Sequence, residues 1–192
     1  MDNLKPWYGA IFSLDQIYNL LKSLTYEQKI ATNYQELFIT WALAKCMTAR
    51  NKKQYMVGLP FEREFPHQEL LELMRSKNQL DEDFDKIIVD ADKPEQPLRI
   101  QIKRYINAEG GKTVDFFNYV KNKVLRYGED KTINIVFDNQ TAFKLDLFEL
   151  GDLLKQHKFK VGSIFVYFLR GTKPNIMQLH PEFTGAYFTP EC

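Results

Sequence analysis

From residue 97 to residue 171 the chain alternates strand-like runs with helix-length segments, and this alternation limits its folds more than any other feature. "PLRIQIKRYI" (97–106), "KTINIVFD" (131–138) and "VGSIFVYFLRG" (161–171) are short, apolar, and rich in β-branched and aromatic residues, as strands are. "VDFFNYVKNKVLRYG" (114–128) and "LDLFELGDLLKQHKF" (145–159) separate them and carry apolar residues at helical spacing. Gly128 closes the first of these as a C-cap. Strands joined through helices predict an α/β fold with a mixed β-sheet flanked by helices.

The upstream part extends the pattern. Residues 13–30 read as helical, with Leu14, Ile17, Leu20, Leu21 and Leu24 on one stripe. Ser13 and Thr25 are candidate N-caps there, with Gln16 and Gln28 three residues on. A stronger helix runs from about Asn33 to Ala49 in "TNYQELFITWALAKCMTAR". "QYMVGLPFEREF" (54–65) reads as a strand ended by Pro66, and "HQELLELMRSK" (67–77) as a short amphipathic helix. "DFDKIIVDAD" (83–92) reads as a strand and "KPEQ" (93–96) as a turn. From Thr172 onward three prolines make the tail read as irregular. The expectation is one domain over 1–192. It has an α-β-β-β-α-β core at about 33–138, N-terminal helices over 1–32 and an α-β extension over 139–192.

Composition excludes several classes. Hydrophobic residues make up 44% of the 192, so the chain can bury a core and disorder is not expected. With 26 basic against 25 acidic residues, net charge does not announce a nucleic-acid partner. Locally it is uneven: Arg99 to Lys131 holds eight basic residues against four acidic, a strip able to neutralise backbone phosphates. The apolar runs are too short to span a bilayer, and "MDNLKPWYGA" lacks the pattern of a signal peptide. Cys46 and Cys192 fit no CxxC pattern, so a reduced, cytoplasmic protein without membrane contact is expected. His67, His157 and His180 show no zinc spacing. "GGKT" (110–113) is not a phosphate loop, because the glycine required five residues before Gly111 is Ile106. Thr113 is a candidate cap for the helix that follows.

The polar residues inside the strand at 97–106 raise the functional question. Side chains alternate along a strand, so Gln101 and Lys103 share one face while Ile100 and Ile102 share the other. An amide and an ammonium on one face of an apolar strand have two readings: the floor of a metal and phosphate site, or groups that solvate an exposed sheet edge. Asp85 opens the preceding strand and Glu36 sits in the early helix. Carboxylate and amide oxygens suit a hard divalent cation, and a lysine two residues along suits charge developing on a phosphate.

In order and residues, Glu36, Asp85 and then Gln101-x-Lys103 on a helix–strand–strand–strand–helix–strand frame resemble the PD-(D/E)xK nuclease superfamily, the restriction-endonuclease-like proteins. The usual Asp or Glu is here Gln101, a variant similar to TnsA-type transposon-end endonucleases. Phe84 stands where the motif has proline, so only part of its first half is present. The resemblance covers about residues 33–138. It implies a Mg²⁺- or Mn²⁺-dependent endonuclease hydrolysing DNA, in a restriction or mobile-element system, acting as a homodimer or with a partner protein that supplies specificity. It implies Asp85 as the central metal ligand, Gln101 and the Ile102 carbonyl as further ligands, Lys103 as the catalytic lysine, and Glu36 at a second metal or a metal-bound water. Asp90 and Asp92 are fallback ligands. Arg104, Lys112 and Lys121 are the expected nucleic-acid contacts. The alternative is a nuclease-fold protein of weak or no catalytic activity that binds DNA or a protein partner.

Overall fold

The computed structural model describes residues 9–25, 32–60, 86–106, 111–140, 144–170 and 173–185. The chain is a mixed α/β protein that divides into two compact units, Met1–Pro97 and Leu98–Cys192.

In the first unit β1 (Gly9–Phe12), β2 (Tyr55–Pro60) and β3 (Lys86–Asp90) form an antiparallel ladder, with Ile11 opposite Gly58 and Val57 opposite Ile88. Two helices, α1 (Leu14–Ser23) and α2 (Thr32–Asn51), pack on each other and on β2. Ser13 caps α1 as its sequence requires: its hydroxyl accepts from the Gln16 amide while the Gln16 side chain accepts from the Ser13 amide. The apolar stripe of α1 buries Ile17, Leu20 and Leu21. Trp41 of α2 is 1% exposed and satisfies its indole N–H on the Leu14 carbonyl at 3.1 Å. Its ring stacks between Tyr18 and Phe38, 5.6 Å from each.

The second unit carries the alternation of strands and helices seen in residues 97–171. β4 (Leu98–Tyr105), β5 (Ile133–Asn139) and β6 (Ser163–Arg170) run parallel, and β7 (Lys173–His180) pairs antiparallel with β6. Helix α3 (Thr113–Val124), extended by a 3₁₀ turn (Leu125–Tyr127), connects β4 to β5, and α4 (Leu147–Lys155) connects β5 to β6. Every residue of β5 is buried, as expected of a strand with a parallel partner on each side. Phe116, Phe117, Val120 and Val124 of α3 and Leu150 and Leu154 of α4 share one core with Ile133, Ile135 and Phe137 of β5. Burying side chains of this size contributes about 1.5–3 kcal/mol each. Gly128 ends the 3₁₀ turn at φ +60°, where a side chain would be strained. Gly162 admits β6 to the sheet: a Cβ there would lie 2.6 Å from the Lys131 carbonyl oxygen.

Several expectations change. The tail from Thr172 is not irregular, because Lys173–His180 forms β7. Pro174 is tolerated since β7 lies at the edge of this ladder, where a missing N–H costs little. The N-terminal segment 1–32 is not all helical, since Gly9–Phe12 pairs with β2. Helix α1 stops at Ser23, short of Thr25. The C-terminal extension therefore holds α4, β6 and β7 rather than one helix and one strand. Thr113 does not cap α3; Lys112 holds that position, and the Thr113 hydroxyl accepts from the Asp146 amide at 2.9 Å. The helix expected over 67–77 lies outside the described residues. No helix among the described residues is long and apolar enough to cross a membrane.

Candidate functional site

Strand β4 carries the residues of interest, and its register fixes their faces. Gln101 stands opposite Ile135 and Lys103 opposite Phe137, both core residues beneath α3 and α4. Tyr105, two residues further on, packs against Phe116 and Tyr119 of α3, with ring centres 5.2 and 5.0 Å away. The face shared by Gln101 and Lys103 is thus covered by a helix. Gln101 is 3% exposed. Lys103 is half-buried, and its Nζ lies 5.8 Å from the centre of the Tyr127 ring, within cation–π range.

The opposite face of β4 holds Ile100, Ile102 and Arg104. Ile102 is half-buried and opposite Val136. Arg104 is opposite Asp138, and its Nε donates to Asp138 Oδ2 at 3.4 Å. Gln140 Nε2 donates to the same oxygen at 2.7 Å. The Asp138 side chain is 4% exposed, and burial pushes its carboxyl above the usual range against the pull of Gln140 and Arg104. Tyr119 Oη donates to the Arg104 carbonyl at 2.7 Å, tying α3 to the carboxyl end of β4. That end of parallel strands is where α/β sheets place their ligands.

Glu36 belongs to the first unit, half-buried on α2. Lys86, the first residue of β3, donates from Nζ to Glu36 Oε2 at 3.4 Å. Lys86 is 5% exposed, so this is a largely desolvated pair in which removing either partner strands the other charge. Asp85 lies outside the described residues. Asp90 accepts from Lys53 Nζ at 2.6 Å and from the Asp92 amide at 3.0 Å, and the Lys53 hydrogen bond, with these further contacts, holds its carboxyl below the usual range. The fallback ligands therefore serve a turn stabilised by a lysine.

Lys112 is exposed, and its amide donates to Asp115 Oδ2 at 3.0 Å. Lys121 is half-buried on α3, close enough to His157 for its charge to add to burial in lowering that imidazole's pKa. Among the described residues, no three His, Cys, Asp or Glu side chains gather in a way that could hold a metal ion. Gln101 and Lys103 are brought onto one face, Arg104 onto the other.

Three participants escaped sequence reasoning. Asp138 had a signal, a carboxylate ending the otherwise buried run "INIVFD". Lys86 had one too, a lysine opening "KIIV". Tyr127 had none, because only the turn after α3 brings its ring to Lys103. Comparison with known protein families, with curated proteins and with solved structures finds no match for this chain.

Proposed function

We propose that the chain is a metal-dependent endonuclease of the PD-(D/E)xK kind, hydrolysing phosphodiester bonds in DNA. The observation that carries this reading is the face of β4: Gln101 at 3% exposure and a half-buried Lys103, both under α3. A buried amide must be matched by hydrogen-bonding groups, at a cost of roughly 1–3 kcal/mol where they are lacking. A strand with only a structural role avoids that cost with valine or isoleucine. The parallel β4–α3–β5 unit adds support, since it has the connection that the family's order of elements requires.

The donor chemistry fits a hard divalent cation. On β4, Gln101 offers an amide oxygen and Ile102 a carbonyl, donors that would take part in holding Mg²⁺ or Mn²⁺, while the carboxylates implied by the resemblance, Asp85 and Glu36, belong to the first unit. When bound, such an ion polarises a phosphoryl oxygen and acidifies water. Lys103 presents its ammonium to the scissile phosphate and stabilises the charge that develops there. Arg104, Lys112 and Lys121 contact the DNA backbone, and a second copy or a partner protein supplies target choice.

The test is nicking of supercoiled plasmid by wild type and Lys103→Ala, with Mg²⁺, with Mn²⁺ and with chelator. Cutting should need the ion and fall by about 10²–10³ in the variant, the usual loss when one electrostatic stabiliser is removed. Equal cutting by both proteins overturns the assignment of Lys103.

A second reading draws on a different observation. Glu36 is engaged by Lys86 and Arg104 by Asp138, so two groups expected at metal and DNA are bonded within the chain. That favours a nuclease-fold protein that binds DNA or a protein partner without cutting. Thermal unfolding with and without Mn²⁺ separates the two, because only the nuclease is stabilised by the ion.

A further inference from the structure

The second unit contains a cleft of about 430 Å³ that no part of the nuclease reading uses. It lies between the end of α4, the segment leading into β6, and the end of β7. Its position is remote from Lys103. Gln101, Ile135, Ile164 and His180 form one row across β4, β5, β6 and β7, so His180 stands three strands away, roughly 14 Å at the usual strand spacing.

Two kinds of side chain line the cleft. The first is a set of rings held at fixed angles. His157 meets Phe159 edge-to-face at 4.6 Å with planes 74° apart, and Phe159 meets His180 at 5.9 Å and 75°. Phe183 supplies a further wall and is pinned against α4. A Cβ on Gly151 would lie 3.0 Å from its ring, so a larger residue there would push the ring back by a few tenths of an ångström. Both imidazoles are held below their usual pKa, first by burial, which in His180 outweighs a hydrogen bond to the Val161 backbone.

The second kind is cationic. Lys155 and Lys158 border the cleft, and Lys121 of α3 reaches His157 with its charge. The facing acids are Asp152, already paired with Lys155 at 3.0 Å, and the exposed Glu182. Lys158 is exposed and makes no ion pair among the described residues. The lining itself holds two lysines, Lys155 and Lys158, and no acid, which leaves a positive rim over an aromatic floor.

We propose that this cleft binds a small anion carried on a flat aromatic body. The rings stack on or edge the body, and Lys158 takes the charge. The volume suits one ligand of about nucleotide size. The charge can be a phosphate, as on a mononucleotide, or a carboxylate.

The experiment follows the His157 and His180 ring signals of the full chain by NMR. Three probes are added separately at millimolar concentration: adenosine 5′-monophosphate, salicylate and inorganic phosphate. Movement of both signals with either aromatic anion, at concentrations where inorganic phosphate does little, supports the proposal. Which of the two binds more tightly names the source of the charge. No movement with either aromatic anion overturns it, and so does an equal response to inorganic phosphate alone. Lys158→Glu, a surface change that leaves the core intact, should weaken the aromatic anion about tenfold. Phe183→Leu should weaken it while leaving the response to inorganic phosphate unchanged. An unaltered affinity in both variants also overturns the proposal. None of these readouts depends on nuclease activity.

Discussion

Gly162→Ala tests how the second unit is joined. The residue lies just before β6, and its amide donates to the Ile133 carbonyl at 2.9 Å. A methyl group there would sit 2.6 Å from the Lys131 oxygen, 2.9 Å from the Ile133 oxygen and 3.0 Å from Asn134 Oδ1. Two of these atoms are backbone, and ordinary contact begins near 3.4 Å, so the entry to β5 must retreat by about 0.8 Å. Overpacking of this kind costs about 1–3 kcal/mol. Weakening the Gly162–Ile133 hydrogen bond adds about 0.5–1.5 kcal/mol. The stiffer unfolded chain of the alanine variant returns about 0.4–1 kcal/mol. The net loss is about 0.5–4 kcal/mol, centred near 2 kcal/mol, where Tm falls by about 4–8 °C for a chain of this size. Thermal unfolding followed by circular dichroism measures it. A shift under about 1 °C, less than 0.5 kcal/mol on the same scale, would refute the argument that the close approach at Gly162 is rigid.

Two further expectations concern titratable groups. Burial raises the Asp138 pKa in the folded state above its unfolded value, so its contribution to stability is fully present below the unfolded pKa and is lost as pH climbs through the folded one. Urea unfolding of wild type and Asp138→Asn at pH 4 and pH 7 should show the wild type losing ground to the variant at the higher pH. A difference that is constant, or that grows in favour of wild type, sinks the assignment. Burial also pushes the Cys46 thiol up to about 12. In a Cys192→Ser background, Cys46 should react with an alkylating reagent at pH 8 at least about a hundredfold more slowly than a free thiol. Reaction at the free rate would show that the thiol is neither buried nor protonated.

Periodicity made the alternating half of the chain readable. β4, α3, β5, α4 and β6 appear where their patterns fall, and Gly128 stops the helical segment that it was read to stop. The failures have separate physical causes. Pro174 looked like a breaker, yet an edge strand tolerates proline and β7 is one, ending at His180 just before Pro181. β1 has four residues, too few to show an alternation. At the candidate site, the shared face of Gln101 and Lys103 follows from a period of two and was visible in the sequence. The partners were not. Asp138 reaches Arg104 only because a parallel ladder sets side by side two residues that are 34 apart in the chain. Lys103 reaches Tyr127 only through the turn that closes α3.

That separation of partners along the chain also bears on the order in which the second unit assembles. Each parallel pairing, β4 with β5 and β5 with β6, must first close a long crossover that contains a helix, and loop entropy opposes it before any contact is gained. The antiparallel pairing of β6 with β7 starts from Leu169 opposite Pro174 and Arg170 opposite Lys173, almost adjacent in the chain. The segment that looked least structured in the sequence is therefore the cheapest to close. Folding of the unit is expected to begin at its C-terminal hairpin and to add β5 and then β4. A chain cut before β7 would lose the nucleus on which the proposed catalytic strand is laid down last.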